Sequence, residues 1–185
     1  MANPTPYTAV LDNRVPLKVS VHVENFGWFN DIEDFQISGT VGGSLRMEAF
    51  SIKIDRTKTN LTTKQLSLEY SAIVETVESA DPNQLHNVKY DGVNDREGVY
   101  APTPYIEEGL VCGSVGSGRR IIDLSIKLTG TLARDYILLY RSHQQVNGDT
   151  QWMEACYSGN NSYPTQDRNK RLESLWIYCY PRKLV

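Results

Sequence analysis

From Leu17 the chain alternates. Leu17, Val19, Val21 and Val23 are apolar, and Lys18, Ser20, His22 and Glu24 between them are polar. Period two of this kind predicts a half-buried strand. Asn25 to Trp28 breaks the alternation, with Gly27 marking a bend or bulge. A short strand is expected around Phe35–Ile37. GTVGGS then reads as a turn, with glycines at 39, 42 and 43. RMEAFSIKI follows as a second strand. Its strict alternation puts Arg46, Glu48, Phe50, Ile52 and Ile54 on one face, and Met47, Ala49, Ser51 and Lys53 on the other.

This unit recurs. Residues 36–54, QISGTVGGSLRMEAFSIKI, align with residues 110–128, LVCGSVGSGRRIIDLSIKL. The alignment places Gly39 on Gly113, Val41 on Val115, Gly42 on Gly116, Arg46 on Arg120 and Ile52 on Ile126. A third, decayed copy closes the chain at 170–179, KRLESLWIYC, where Arg171 and Glu173 take the places of Arg46 and Glu48. The leading strands also repeat. Tyr70, Ala72 and Val74 stand for Val19, Val21 and Val23, and His143 in YILLYRSH stands for His22. Leu132–Arg141 has some helical propensity, but its repeat equivalents alternate, so it is read as strand. Residues 1–16 form an N-terminal lead-in, and 17–185 form one all-β domain. Its repeats span about 17–60, 61–130 and 131–180, close to the upper end of common repeat periods. The second holds an insertion, 77–108, rich in proline and glycine. Such insertions are surface loops, often functional ones.

A single small sheet cannot bury its apolar face alone, and three stacked around an axis can. A threefold pseudosymmetric β-prism is expected, with the β-trefoil as the alternative. The length suffices for a proper core. The net charge of −3 argues against a nucleic-acid partner. No apolar run is long enough for membrane insertion. No basic cluster followed by an apolar stretch opens the chain, so no signal peptide is predicted. A cytoplasmic protein is expected, one that is then released or held at the cell surface. Cys112, Cys156 and Cys179 match no zinc spacing and read as thiols, with a Cys156–Cys179 bridge left open for an exported protein. His22, His86 and His143 are not spaced as metal ligands, and no EF-hand loop occurs. No metal or cofactor is called for.

VHVENFGW followed by SGTVGGSLRMEAFSIKI resembles the clostridial hydrophobic-W repeat family. That family has an H-V-Q-N-x-G-W strand, then A-G-T-x-G, then R-L-E-A-I-x-I. His22, Val23, Asn25, Gly27, Trp28, Gly39, Thr40, Gly42, Arg46, Glu48 and Ala49 carry the likeness. The second repeat keeps Gly113, Gly116 and Arg120 but has no Trp and carries Ile122 at the acidic position. The third keeps His143, Gly148, Arg171 and Glu173, with Trp152 standing in for the tryptophan. The glycine turn and the strand after it are also similar to the closing strand pair of jacalin-type β-prism lectins, in which the turn and an acidic residue hold a sugar. Both resemblances imply carbohydrate binding or adhesion.

Carbohydrate recognition uses aromatic rings against the C–H face of a sugar and paired polar groups for its hydroxyls. Asn25 with Trp28, and Asn147, Asp149 and Gln151 with Trp152, supply that mixture near predicted bends. The same tryptophans could instead anchor the core. Arg46–Glu48 and Arg171–Glu173 are read as ion pairs or as acceptors for sugar hydroxyls. In the latter reading Gly39, Thr40 and Gly42 lie nearby, and glycine amides donate. No hydrolase, P-loop or dinucleotide motif occurs. Asp31, Glu33, Asp34, Asp91, Asp95 and Glu97 are the acids available to a glycosidase, but a repeated β scaffold favours binding over catalysis. The expected function is therefore a lectin with glycans as partners, and homo-oligomerisation is left open. The alternative is a protein-interaction, adhesion or scaffold module that uses the 77–108 insertion.

Overall fold

The computed structural model describes residues 13–76, 99–102, 105–116, 118–145, 148–149, 152–155 and 171–184. The lead-in to residue 12, most of the 77–108 insertion, Asn147, Gln151 and Cys156 lie outside them. The described chain is nearly all β, with two single-turn 3-10 segments at Ala133–Asp135 and Arg182–Leu184. The strands are β1 (Leu17–Val23), β2 (Gly27–Glu33), β3 (Ser38–Gly39), β4 (Met47–Ile54), β5 (Ser67–Thr76), β6 (Val99–Pro102) and β7 (Ile106–Glu107). They continue with β8 (Cys112–Gly113), β9 (Ile121–Thr129), β10 (Tyr136–Gln144), β11 (Gly148–Asp149), β12 (Met153–Glu154) and β13 (Leu172–Pro181).

Three antiparallel sheets form, each around one long pair: β1 with β4, β5 with β9, and β10 with β13. The alternation read in the sequence for β1 holds, since every apolar residue of Leu17–Val23 is buried and every polar one half-buried. The inward side chains of all three pairs share one core, with Val21, Phe50, Tyr70, Ile126, Leu138 and Ile177 among its members.

Two local readings change. Gly27–Glu33 is a strand rather than only a bend, pairing along β1 from Val23 to Lys18. The short strand expected at Phe35–Ile37 lies instead at Ser38–Gly39. The alternation of β4 is also interrupted. The register slips so that His22 faces Ala49 while Val23 faces Met47, leaving Glu48 as the extra residue of a bulge. Met47 therefore turns into the core, and Met47 through Phe50 are all buried. The long pair of each other sheet slips at the equivalent place, skipping Ile122 between Asp123 and Ile121, and Glu173 between Ser174 and Leu172. The acidic position of the repeat is a bulge position.

In the first two repeats the stretch just before the closing strand leaves its own sheet. In the first repeat it runs along β13 of the third: Phe35 N–H donates to Ile177 O, β3 pairs with Ser174–Leu175, and Thr40 N–H donates to Glu173 O at 3.0 Å. In the second it runs along β4 of the first. There Gly109 N–H donates to Ile52 O, β8 pairs with Ala49–Phe50, and Ser114 N–H donates to Glu48 O at 2.8 Å. Gly39 and Gly113 make these crossings feasible. Both have positive φ, and a Cβ on either would lie 2.4 and 2.3 Å from the carbonyl oxygens of Glu173 and Glu48.

Tyr70 fastens the second crossing from inside. Its buried hydroxyl accepts from Ile52 N–H at 3.2 Å and donates to Leu110 O. Burial pushes its phenol well above the ordinary value, so it donates at all working pH. Tyr70→Phe leaves both backbone groups without that partner. The expected loss is about 1–3 kcal/mol of unfolding free energy, read from urea denaturation with an unchanged denaturant slope.

Candidate functional site

The bulge residues build two related clusters. In the first, Glu48 is 3% exposed. Its Oε1 accepts from Arg46 Nε at 3.0 Å, and its Oε2 lies 3.2 Å from His22 Nδ1. Arg46 Nη1 also reaches Glu24 at 2.8 Å. The His22 ring meets Trp28 edge-on, with centroids 5.4 Å apart. This follows from the β1–β2 register, which sets His22 opposite Trp28. Trp28 is half-buried, while Asn25 is exposed at the preceding turn with φ of 65°. In the third repeat, Arg171 Nε donates to Glu173 Oε1 at 3.3 Å. His143 turns elsewhere, its Nδ1 lying 2.8 Å from Asp149 Oδ1. In the second repeat the bulge holds the fully buried Ile122.

The glycine turn is not where the single-repeat reading put it. Gly39 and Thr40 lie against Glu173, and the turn that reaches Glu48 is that of Gly113 and Ser114. The reason is that the linking segments of the first two repeats cross to another repeat's closing strand. Gly42 has positive φ and nothing near its would-be Cβ, so it shapes the turn tip. The Gly39 and Gly113 crossings are backbone-to-backbone, and both carboxylates sit beneath them with their arginines.

A different environment surrounds Trp152, the most open of the described tryptophans at 42% exposure. The Arg141 guanidinium lies between two indoles, 4.9 Å from the Trp152 ring and 4.7 Å from that of Trp176. Its Nη1 lies 3.3 Å from Asp149 Oδ2. Trp152 also meets Tyr178 edge-on, and Tyr178 is stacked between Phe35 and Tyr180. Phe35 adopts φ of 67° as it enters the crossing along β13. Arg141, Tyr178, Phe35 and Trp176 are not among the site residues read from the sequence. A signal was present: Trp176 and Tyr178 stand where the other closing strands carry Ser51 and Lys53, or Ser125 and Lys127. The outward face of β13 is aromatic where its equivalents are polar.

The acids of the first repeat are engaged one by one. Asp31 pairs with Lys53 at 2.7 Å, Glu33 with Lys58, and buried Asp34 with Arg14 at 2.7 Å. Burial raises the Asp34 carboxyl above its ordinary range, against the pull of Arg14. Asp91, Asp95, Glu97 and His86 lie outside the described residues. Cys112 and Cys179 are both buried, and Cys179 is a free thiol among the described residues; Cys156 lies outside them. Among the described residues no cluster of His, Cys, Asp or Glu could hold a metal ion.

Residues 22–56 match the family model described as Clostridial hydrophobic W. The match covers the end of β1 and all of β2, β3 and β4, and so includes the His22–Trp28–Arg46–Glu48 cluster. No curated protein and no solved structure matches the chain; the jacalin-type likeness rests on its turn and strand alone.

Proposed function

We propose that this chain is a carbohydrate-binding protein, a lectin, whose three repeats close as a threefold pseudosymmetric β-prism. The equivalent bulges and the two equivalent crossings support that arrangement. The observation that carries the function is Trp152. An indole this open, backed by a guanidinium and with the carboxylate of Asp149 near that guanidinium, offers an apolar ring face and polar partners in one place. Asn147 and Gln151, its neighbours in sequence, join that proposed site. Trp28 with Asn25 is a second, less open candidate. The Arg46–Glu48 and Arg171–Glu173 pairs are assigned to holding the repeat junctions. Glycans displayed outside the cell would be the ligands, reached from the cytoplasm by release or from the cell surface.

Adhesion or scaffolding through protein contacts is the second reading. It is favoured by exposed apolar residues at equivalent places, Ile37 with Val111 and Val41 with Val115, together with Phe26. A glycan array followed by tryptophan-fluorescence titration separates the two. The lectin reading expects a selective, saturable hit that shifts indole emission and weakens at least tenfold in Trp152→Ala, about 1.4 kcal/mol or more. A blank array with folded protein rejects it.

A further inference from the structure

The second repeat carries a charge where the first carries none. Arg119 occupies the position of Leu45 in the repeat alignment, and Leu45 packs half-buried against the core. Arg119 is only 8% exposed, and its Nε is buried without a hydrogen-bond partner. A guanidinium cannot shed its proton to escape burial, so an uncompensated one is strongly unfavourable. The carboxylates of the first repeat's cluster, Glu24 and Glu48, are both held by Arg46. No ion pair joins Arg119 to a carboxylate among the described residues.

Its surroundings are a built junction. Gly116 and Gly118 have positive φ, and Gly118 lies against Arg46 of the first repeat, its would-be Cβ 3.3 Å from Nη2. Arg119 O accepts from Ser114 Oγ at 3.4 Å, tying residue 119 back to the start of the turn. Arg46, Arg119 and Arg120 thus gather around one glycine turn, between two repeats.

We propose that Arg119 anchors an oxyanion at this junction, the carboxylate or sulfate group of an acidic glycan. The anion supplies a counter-charge at the two Nη groups of the guanidinium, which suit either group in bidentate contact. The glycan part rests on the lectin reading; the anion part does not.

The test is thermal unfolding of the full chain with sodium sulfate or sodium glucuronate, against sodium chloride at matched ionic strength. A saturable rise in melting temperature of about 2–5 °C is expected in the wild type. Arg119→Leu, which restores the side chain of position 45, should melt higher than wild type without oxyanion and lose the rise. Sulfate strengthens burial generally, so an equal rise in the variant overturns the proposal, as does no rise in the wild type. Should the variant not fold, the Arg119 Nε–H resonance of the wild type is followed by NMR. Saturable movement with sulfate or glucuronate supports the site, and an unmoved signal overturns it. Inorganic sulfate binding with no response to glucuronate or to a sulfated monosaccharide (glucosamine 6-sulfate) means an adventitious ion only, and rejects the acidic-glycan ligand; binding of either sugar sustains it. Oxyanion binding with a blank neutral-glycan array would sink the Trp152 reading and leave Arg119 standing.

Discussion

Gly113→Ala is expected to lower the unfolding free energy by about 3–5 kcal/mol, combining backbone strain at positive φ with overpacking. The added Cβ would lie 2.3 Å from Glu48 O and 2.8 Å from Ala49 Cα, both backbone atoms of another repeat's closing strand. No side-chain rotation can relieve that overlap. The crossing must lift off β4, losing the Ala49–Gly113 pairing and the Ser114 to Glu48 hydrogen bond with it. Gly42→Ala separates the two contributions. Gly42 also has positive φ, but nothing lies near its would-be Cβ, so only conformational strain of about 1–2 kcal/mol applies. Urea denaturation of the two variants measures the difference. Equal losses would mean that the close approach at Gly113 is not a constraint.

Glu48→Ala should lose about 3–5 kcal/mol, the range for breaking a buried ionic contact from one side. Glu48 sits beneath the second repeat's turn, between Arg46 and His22. Removing it leaves Arg46 with Glu24 alone and opens a void at the bulge. The second repeat shows how the position is filled without charge, with fully buried Ile122. Combining Glu48→Ile with Arg46→Leu removes both partners and fills the space, and should recover at least half of the loss. Denaturation midpoints of the single and double variants check this. If Glu48→Ala costs under about 1 kcal/mol, the pair behaves as an exposed surface ion pair.

The long strands were legible because their signal is local. The strict alternation from Leu17 to Val23 states its own geometry, and its equivalents at Tyr70–Val74 and Tyr136–His143 inherit it. The bulge was not legible, because one skipped residue leaves no mark in a run such as Met47–Phe50, where core and bulge side chains are both buried. Equally hidden was which repeat receives each glycine turn. Ser38–Gly39 would look the same beside Glu48 as beside Glu173, and only the paired backbone distinguishes them. At the candidate site, Trp152 and Asp149 were readable from residue type. Arg141 was not, since its meaning comes from two indoles distant from it in sequence, Trp152 just before β12 and Trp176 on β13.

The crossing of Ser38–Gly39 onto Leu175 and Ser174 also constrains how the chain can be made. On the ribosome the first repeat's linking strand must wait for β13, 135 residues later (Gly39 to Ser174, 174 − 39). Until then that strand and the outer edge of β4, which awaits β8, carry unfilled backbone donors and acceptors, the kind of edge that recruits wrong partners. Native closure is consequently a late, long-range event, and folding is slow for the chain's size. The first repeat on its own is an unfinished piece, completed by the second, as the third is by the first.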